Sequence, residues 1–202
     1  MNKFIPKALL LGVFTILIGC QPSKPEAEIE PVAAQPLWQL DTNTSRLTYI
    51  SSKNGGIEEH NTLRFHSGTI DANRQVNIRI DLNTIDTSIP IRDERMRELF
   101  FETDTYPTAE VTANIENDLP LMTPYNINFS LHLHGHSQSF QSSVIIHSGG
   151  GEMMITSAED VTVSAADFGL EPAIEKLREI AMLETIDPQV RVSFKLHFKQ
   201  IN

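Results

Sequence analysis

Three histidines are the residues of this chain whose spacing could support metal chemistry. His132, His134 and His136 stand at i, i+2 and i+4 in an alternating segment. Side chains two apart on a strand share a face, and imidazole is the commonest ligand of divalent metals. The alternative is an ordinary solvent-facing strand surface, and Gly135 interrupts the segment. We expect no metal site here, and a metal site formed by these three histidines is the alternative hypothesis.

Two charged segments could contribute to a polar site. The run Arg92–Glu98 mixes acids and bases and could hold a polar headgroup. Such a run is more often a solvated helix face with ion pairs of a few tenths of a kcal/mol each, which is the structure we expect. Glu58–His60 follows Gly55–Gly56 in a turn-like stretch, and no pocket that acid–base catalysis needs is evident around it.

The usual signatures of nucleophilic and phosphate chemistry are missing from the sequence. Gly149–Gly151 has neither the Lys nor the Ser/Thr of a phosphate loop, so it predicts a turn between two strands. There is no G-x-S-x-G motif, and Cys20 is the single cysteine. The chain has 26 acidic and 16 basic residues, a net charge of −10, which argues against nucleic acid as a partner. We therefore expect a protein that is not an enzyme.

The N-terminus has the pattern of an export signal. Lys3 and Lys7 precede the uncharged run Ala8–Ile18, which is shorter than the about 20 residues that a membrane-spanning helix needs. The run ends in Leu17–Cys20, which resembles the lipobox of bacterial lipoproteins. That resemblance implies a signal peptide at residues 1–19 and acyl chains, palmitate among them, on Cys20.

A linker follows the proposed anchor. Residues 20–36 hold four prolines with three glutamates between them, a composition that favours extended polyproline II structure. The folded domain would then occupy residues 37–202. Gln21 rather than Asp follows Cys20. In bacterial lipoproteins this implies an outer-membrane location, facing the periplasm.

The remainder of the chain alternates apolar and polar residues with period two. This pattern predicts half-buried antiparallel strands, about eight in number, and therefore an all-β fold. A barrel and a two-sheet sandwich both fit it. The clearest strands are Val76–Leu82, Ala109–Glu116, Tyr125–His134 and Val190–Lys199, and the weaker ones are Arg46–Ser52, Leu63–Ile70, Phe140–His147 and Val161–Asp167.

Two segments break the alternation with helical spacing. Asp93–Phe101 carries apolar residues at i, i+3 and i+4, with Asp93 near the expected N-cap. Pro172–Thr185 carries a longer apolar stripe, with Pro172 at the helix start. The two apolar stripes could cover the opening of a barrel.

Several short motifs along the domain resemble those of the YceI-like, polyisoprenoid-binding family. The matching segments are Trp38–Asp41, Phe65–Ile70, Ile85–Thr87, Ile91–Asp93, Leu99–Glu102, Tyr106–Thr108, Leu131–Gly135 and Asp167–Leu170. The resemblance implies a lipocalin-like antiparallel barrel of about eight strands, with short helices covering an opening. It also implies a bound isoprenoid lipid and brings no catalytic residue.

These observations together predict a lipid-anchored protein of the bacterial cell envelope that binds or carries an isoprenoid-type ligand, a quinone or polyprenyl lipid, without a cofactor. One alternative is a His-rich periplasmic metal-binding or stress-response module. Another is a structural or interaction domain whose barrel is filled by its own side chains. The residues expected to face an apolar tunnel are Val76, Ile78, Ile80, Val111, Ile127, Phe129, Leu131, Leu133, Phe194 and Leu196.

Overall fold

The structure, a computed structural model, describes residues 36–116 and 119–201. The predicted signal peptide at 1–19, Cys20 and the linker up to residue 35 lie outside the described residues. Within the described ranges, no helix combines the length and the apolar character required to cross a bilayer.

Period-two alternation produces ten antiparallel strands in the described residues. Each places one face toward a common interior and the other toward solvent, as the alternating burial along β3 and β4 shows. The strands are β1 (Pro36–Leu40), β2 (Arg46–Lys53), β3 (Ile57–Asp71), β4 (Gln75–Asp86), β5 (Thr108–Asn114), β6 (Tyr125–Leu133), β7 (His136–Gly149), β8 (Glu152–Ser157), β9 (Val161–Ser164) and β10 (Gln189–Gln200).

Eight strands close into a ring, as predicted. The hydrogen-bonded order runs β10, β2, β3, β4, β5, β6, β7, β8, and β8 returns to pair with β10. A closed ring of this size leaves an interior just wide enough for side chains or one small ligand. The sheet is therefore a barrel rather than a two-sheet sandwich.

The two remaining strands share positions in the ring with longer neighbours. β10 pairs with β2 through Arg191–Lys195 and with β1 through 198–200. On its other side, β10 pairs with β9 through 189–192 and with β8 through Lys195–Lys199. Ten strands therefore fill eight positions. The sequence-based prediction missed β1 and β8, and it placed the end of β9 at Asp167 where a 3₁₀ turn, Ala165–Phe168, begins at Ala165.

The first helix starts earlier than predicted. α1 spans Pro90–Arg95 and continues as a π-helical turn, Met96–Phe100. Proline favours the first turn of a helix because its fixed φ suits that position, and so the helix begins at Pro90. Asp93 is consequently not the N-cap: its Oδ1 accepts the backbone N–H of Thr87 at 2.8 Å.

The second helix is shorter than predicted. α2 spans Glu171–Ile180, with Pro172 in its first turn as expected. It ends before Thr185 because Met182 adopts a left-handed backbone with φ of 52°. The Arg178 guanidinium donates to the Leu183 carbonyl at 2.9 Å and holds the chain after the helix in place.

A single hydrophobic core lies inside the ring. Phe168, Phe198 and Ile146 are almost completely buried in it. At one end of the barrel β1 pairs with β3 in an antiparallel ladder, where the Gln39 side chain donates to the Gly68 carbonyl at 3.1 Å. Gly68 permits this approach, since a Cβ there would lie 2.8 Å from the Leu40 Cβ.

Candidate functional site

The barrel encloses a cavity of about 700 Å³. Its wall is predominantly aliphatic and aromatic, and a barrel filled by its own side chains would leave no such space. All ten residues predicted to face a tunnel lie on this wall: Val76, Ile78, Ile80, Val111, Ile127, Phe129, Leu131, Leu133, Phe194 and Leu196. Their contact with a ligand stays a prediction.

Both helical segments border the cavity. Met96 and Phe100 line it from the π-helical turn, and Ile174 and Leu177 line it from α2. The two segments also pack against each other. The short helices therefore cover one opening of the barrel, as predicted.

The wall formed by β2 and β3 changes from apolar to charged toward that opening. Residues opposite one another in the two strands face the interior together, so each step of two residues advances about 7 Å along the barrel. The inward positions, taken toward the opening, are Leu47 opposite Leu63, Tyr49 opposite Asn61, Ser51 opposite Glu59, and then Lys53. We call Tyr49, Ser51, Lys53, Glu59, Asn61 and Arg92 the polar end of the cavity.

Ion pairs organise the polar end. Glu59 lies between two cations, with Oε1 2.9 Å from the Lys53 Nζ and Oε2 2.7 Å from the Arg92 Nη1. Arg92 Nη2 donates to the Thr87 carbonyl at 2.7 Å. All three charged side chains are about one quarter exposed. These contacts connect the wall of the barrel to α1.

The structure of the polar end corrects two expectations from the sequence. The run Arg92–Glu98 is not simply a solvated helix face, because Arg92 and Arg95 line the cavity. Glu59 belongs to strand β3 rather than to a turn, and it lies in the pocket that the sequence did not reveal.

The charge states at the polar end follow from burial and pairing. Burial opposes the charged form of Glu59, but the hydrogen bonds and charges of Lys53 and Arg92 outweigh it, so the pKa of this carboxyl is lowered. Burial raises the pKa of Tyr49 well above its usual value of 10. The phenol is therefore a neutral hydroxyl at physiological pH, able to donate a hydrogen bond.

The three histidines do not share a strand face. β6 ends at Leu133, and His134 and Gly135, with φ of 50° and 78°, form the two-residue turn before β7 begins at His136. This pair of positive φ values is typical of tight hairpin turns, and it reverses the chain between the second and third histidines.

Each imidazole has a different neighbour. His132 Nδ1 is 2.9 Å from the Ser137 hydroxyl, and His134 Nε2 is 3.0 Å from the Glu102 carboxylate. His136 lies beside Gly169. Within residues 36–116 and 119–201, no cluster of three or more His, Cys, Asp or Glu side chains could hold a metal ion. The structure therefore does not place the three imidazoles on one strand face, and the expectation that no metal binds here stays a prediction.

The other sequence-predicted features have definite positions. Gly150 and Gly151, with φ of 62° and 79°, form the turn between β7 and β8, as predicted. The polar end was missed, although a signal for it exists. Leu63 and Phe65 face inward, and the same parity continued backward along β3 places Asn61 and Glu59 inward as well.

Comparison with protein families gives a match to the YceI-like domain over residues 38–198. A polyisoprenoid binding domain from Saccharophagus degradans, implicated in plant cell wall breakdown, has a similar structure, with 29% identity and a TM-score of 0.76. That match covers 83% of this chain and 100% of the other chain.

Two more distant structures share the fold. BcnA of Burkholderia cenocepacia is 14% identical with a TM-score of 0.61, covering 78% of this chain and 98% of its own. The YCEI protein of Campylobacter jejuni is 9% identical with a TM-score of 0.50, covering 90% of this chain and 94% of its own. Comparison with curated proteins finds no match. Because the family match extends over far more than half of the sequence, this chain belongs to the YceI-like domain family.

Proposed function

We propose that this protein binds an isoprenoid-type hydrophobic molecule, a quinone or polyprenyl lipid, inside its barrel, and that it does so on a lipid anchor in the bacterial cell envelope. The observation that carries the proposal is the apolar cavity of about 700 Å³. Small-molecule sites typically measure about 300–1,000 Å³ and are mostly apolar with a few polar groups that fix orientation. The cavity and its polar end have this form.

One of the comparison structures supports the same ligand class. The Saccharophagus degradans domain, all of which is covered by its match to this chain, is described as polyisoprenoid binding. A chain of isoprene units is flexible and apolar, and its burial against aliphatic walls requires no directional contacts. Binding and carriage, rather than catalysis, fit a cavity with this lining.

The physical ceiling on affinity is compatible with a carrier. Drug-sized ligands gain at most about −0.3 kcal/mol per heavy atom, so about 30 buried atoms give on the order of −9 kcal/mol, a sub-micromolar Kd. Affinity should rise with tail length, because a longer tail buries more apolar surface. It should depend little on salt, because the tail is uncharged.

Ligand retention by the purified domain tests the proposal. Organic extraction of native protein and mass spectrometry identify any bound lipid, and delipidated protein is then reloaded with a quinone or polyprenyl probe. Phe129 lines the cavity and stacks on Phe140 with ring centroids 5.6 Å apart. Phe129→Trp enlarges a wall residue without adding charge, at an overpacking cost of about 1–3 kcal/mol, and should weaken retention.

A matched control exists on the same strand. Asn126 is exposed on the outer face of β6, so Asn126→Trp should leave retention unchanged. Equal retention by folded wild type and folded Phe129→Trp would remove Phe129 from the site. A folded, delipidated wild type that retains no probe would refute the carrier function.

The anchor is tested separately. We infer from the Leu17–Cys20 lipobox pattern that the mature protein begins with an acylated Cys20, and the Gln21 that follows supports an outer-membrane location facing the periplasm. Acyl chains contribute about 0.8 kcal/mol per buried CH₂, and two or more hold a protein stably on a bilayer. Cys20→Ser should stay unprocessed and incorporate no labelled palmitate. Normal processing and release of this variant would contradict the inference.

A further inference from the structure

The polar end of the cavity contains a buried hydrogen-bond acceptor without a partner. Asn61 is only 2% exposed and lines the cavity. Its Nδ2 donates to the Ser51 hydroxyl at 3.0 Å and to the Glu59 carbonyl at 3.2 Å. A main-chain carbonyl can only accept, so the amide cannot be turned around, and the unpartnered atom is the Oδ1 acceptor.

The same region contains a buried donor without a partner. Two nitrogens of the Arg92 guanidinium are engaged, by Glu59 and by the Thr87 carbonyl, each at 2.7 Å. The third, Nε, is buried and donates to nothing. Among the buried side-chain polar atoms of residues 36–116 and 119–201, Asn61 Oδ1 and Arg92 Nε are the two that lack a partner.

The two residues that carry these atoms both contact Glu59. Glu59 contacts both residues, Asn61 through its main-chain carbonyl and Arg92 through its carboxylate. Tyr49 stands opposite Asn61 across the β2–β3 pairing and contributes a neutral hydroxyl. A buried polar group left unpaired destabilises the site, so a ligand that satisfies this group gains affinity.

We propose that the polar end is a headgroup subsite for an uncharged lipid head that bears a hydroxyl, as in a prenol or a quinol. This inference rests on the proposed function, since the tail must occupy the apolar cavity. A hydroxyl both donates, which Asn61 Oδ1 needs, and accepts, which Arg92 Nε needs. An alkane does neither. A phosphate dianion offers acceptors only, so it could satisfy Arg92 Nε but would leave Asn61 Oδ1 without a donor.

Access to the subsite passes the ion pairs. Asn61 Oδ1 and Arg92 Nε are shut off from solvent. The side chains of Lys53, Glu59 and Arg92 are each about one quarter exposed. The head therefore reaches the two unpartnered atoms when these long side chains shift, and its hydroxyl then gives Asn61 Oδ1 a donor and Arg92 Nε an acceptor.

Probes that share a tail and differ in the head test the subsite. Delipidated wild type is titrated with geranylgeraniol, geranylgeranyl phosphate and the parent hydrocarbon that lacks oxygen. The affinity of each compound is measured by its displacement of a fluorescent lipid probe. We expect the alcohol to bind about 10-fold more tightly than the hydrocarbon, as one satisfied buried group predicts. Reduced and oxidised decylubiquinone form a second pair of probes. Only the reduced form carries hydroxyls, and it should bind more tightly than the oxidised form. The affinity ratio within each pair shows whether the subsite prefers a prenol or a quinol.

Two substitutions remove the subsite without blocking the tail. Asn61→Leu replaces the amide by an apolar side chain of similar size, and Tyr49→Phe removes only a hydroxyl. Asn61→Leu should abolish the preference for the alcohol, Tyr49→Phe should reduce it, and both should leave hydrocarbon affinity within about twofold of wild type. Ser142→Ala is the matched control, because Ser142 is a buried polar residue on another part of the cavity wall and should keep the preference. Thermal melting confirms that each variant is folded.

The outcomes separate this inference from the proposed function. If alcohol and hydrocarbon bind equally to wild type, or if Asn61→Leu keeps the preference, the subsite is refuted while tail binding stands. If the phosphate binds most tightly, the polar end selects an anion and the inference is wrong. If folded wild type binds none of the probes, the proposed function fails and the subsite fails with it.

Discussion

Substitution of Gly68 by alanine should destabilise the barrel where β1 pairs with β3. The added Cβ would lie 2.8 Å from the Leu40 Cβ, 2.9 Å from its Cδ2 and 3.3 Å from the Ile78 Cγ1. The first of these atoms is fixed to the backbone, so rotation of the Leu40 side chain cannot relieve the contact, and the strand itself must move. Overpacking of this kind typically costs about 1–3 kcal/mol.

An opposing effect is smaller. Alanine restricts the unfolded chain more than glycine does, which by itself stabilises a protein by about 0.4–1 kcal/mol. The free energy of unfolding of Gly68→Ala should therefore fall by about 1–2 kcal/mol, which lowers Tm by roughly 2–8 °C for a domain of this size.

Gly149 provides the matched control. It ends β7, its φ is outside the left-handed region, and no atom approaches the position of an added Cβ within 4 Å. Gly149→Ala should therefore be neutral or raise stability by up to about 1 kcal/mol. Urea unfolding monitored by circular dichroism measures both variants against wild type. A Gly68→Ala variant as stable as Gly149→Ala would refute the close packing of β1 on β3.

Two further predictions concern the three histidines and Glu59. The triple variant His132→Gln, His134→Gln and His136→Gln should melt close to wild type, and chelator should shift neither Tm, because the three imidazoles do not converge; a wild-type Tm that falls sharply with chelator would contradict this. The pKa of Glu59 is lowered in the folded protein, so ionised Glu59 stabilises the fold at pH values above 4.5, the ordinary pKa of this carboxyl. This contribution is lost as the pH falls through the lowered pKa of the folded state. The stability advantage of wild type over Glu59→Gln should therefore shrink in urea titrations taken from pH 6 toward pH 3, and an advantage that grows on acidification would refute the ion-paired arrangement.

The fold was predictable from the sequence where side chains alternate over a long run. β4, β6 and β10 each present an unbroken apolar face to the interior, and the period of two identifies both the strand and its inward side. β1 and β8 are only 5 and 6 residues long, so neither supplies enough repeats for the pattern to be recognised. β1 pairs with the distant strands β3 and β10, and β8 pairs with its hairpin neighbour β7 and with the distant β10.

The candidate site divides in the same way. The apolar wall follows from strand parity, because a residue such as Ile78 or Phe129 is both hydrophobic and inward-facing. Parity counted from Leu63 also places Asn61 and Glu59 inward, but the polar character of these two side chains hides this, because a hydrophobic pattern alone marks polar residues as outward. The contact between Arg92 and Glu59 joins positions 33 apart in the chain and exists only because α1 folds back over the opening. Local sequence carries no information on such a contact.

The central position of β10 has a consequence for how the chain acquires its structure. β10 lies after all other ring strands in the sequence, yet it pairs with β1, β2, β8 and β9. Until residues 189–200 are available, β2 and β8 keep unpaired edges and the interior stays open to water. Pairing across such sequence separation slows folding. A chain that emerges N-terminus first therefore cannot complete its barrel before β10 has emerged, because β10 joins the free edges of β2 and β8.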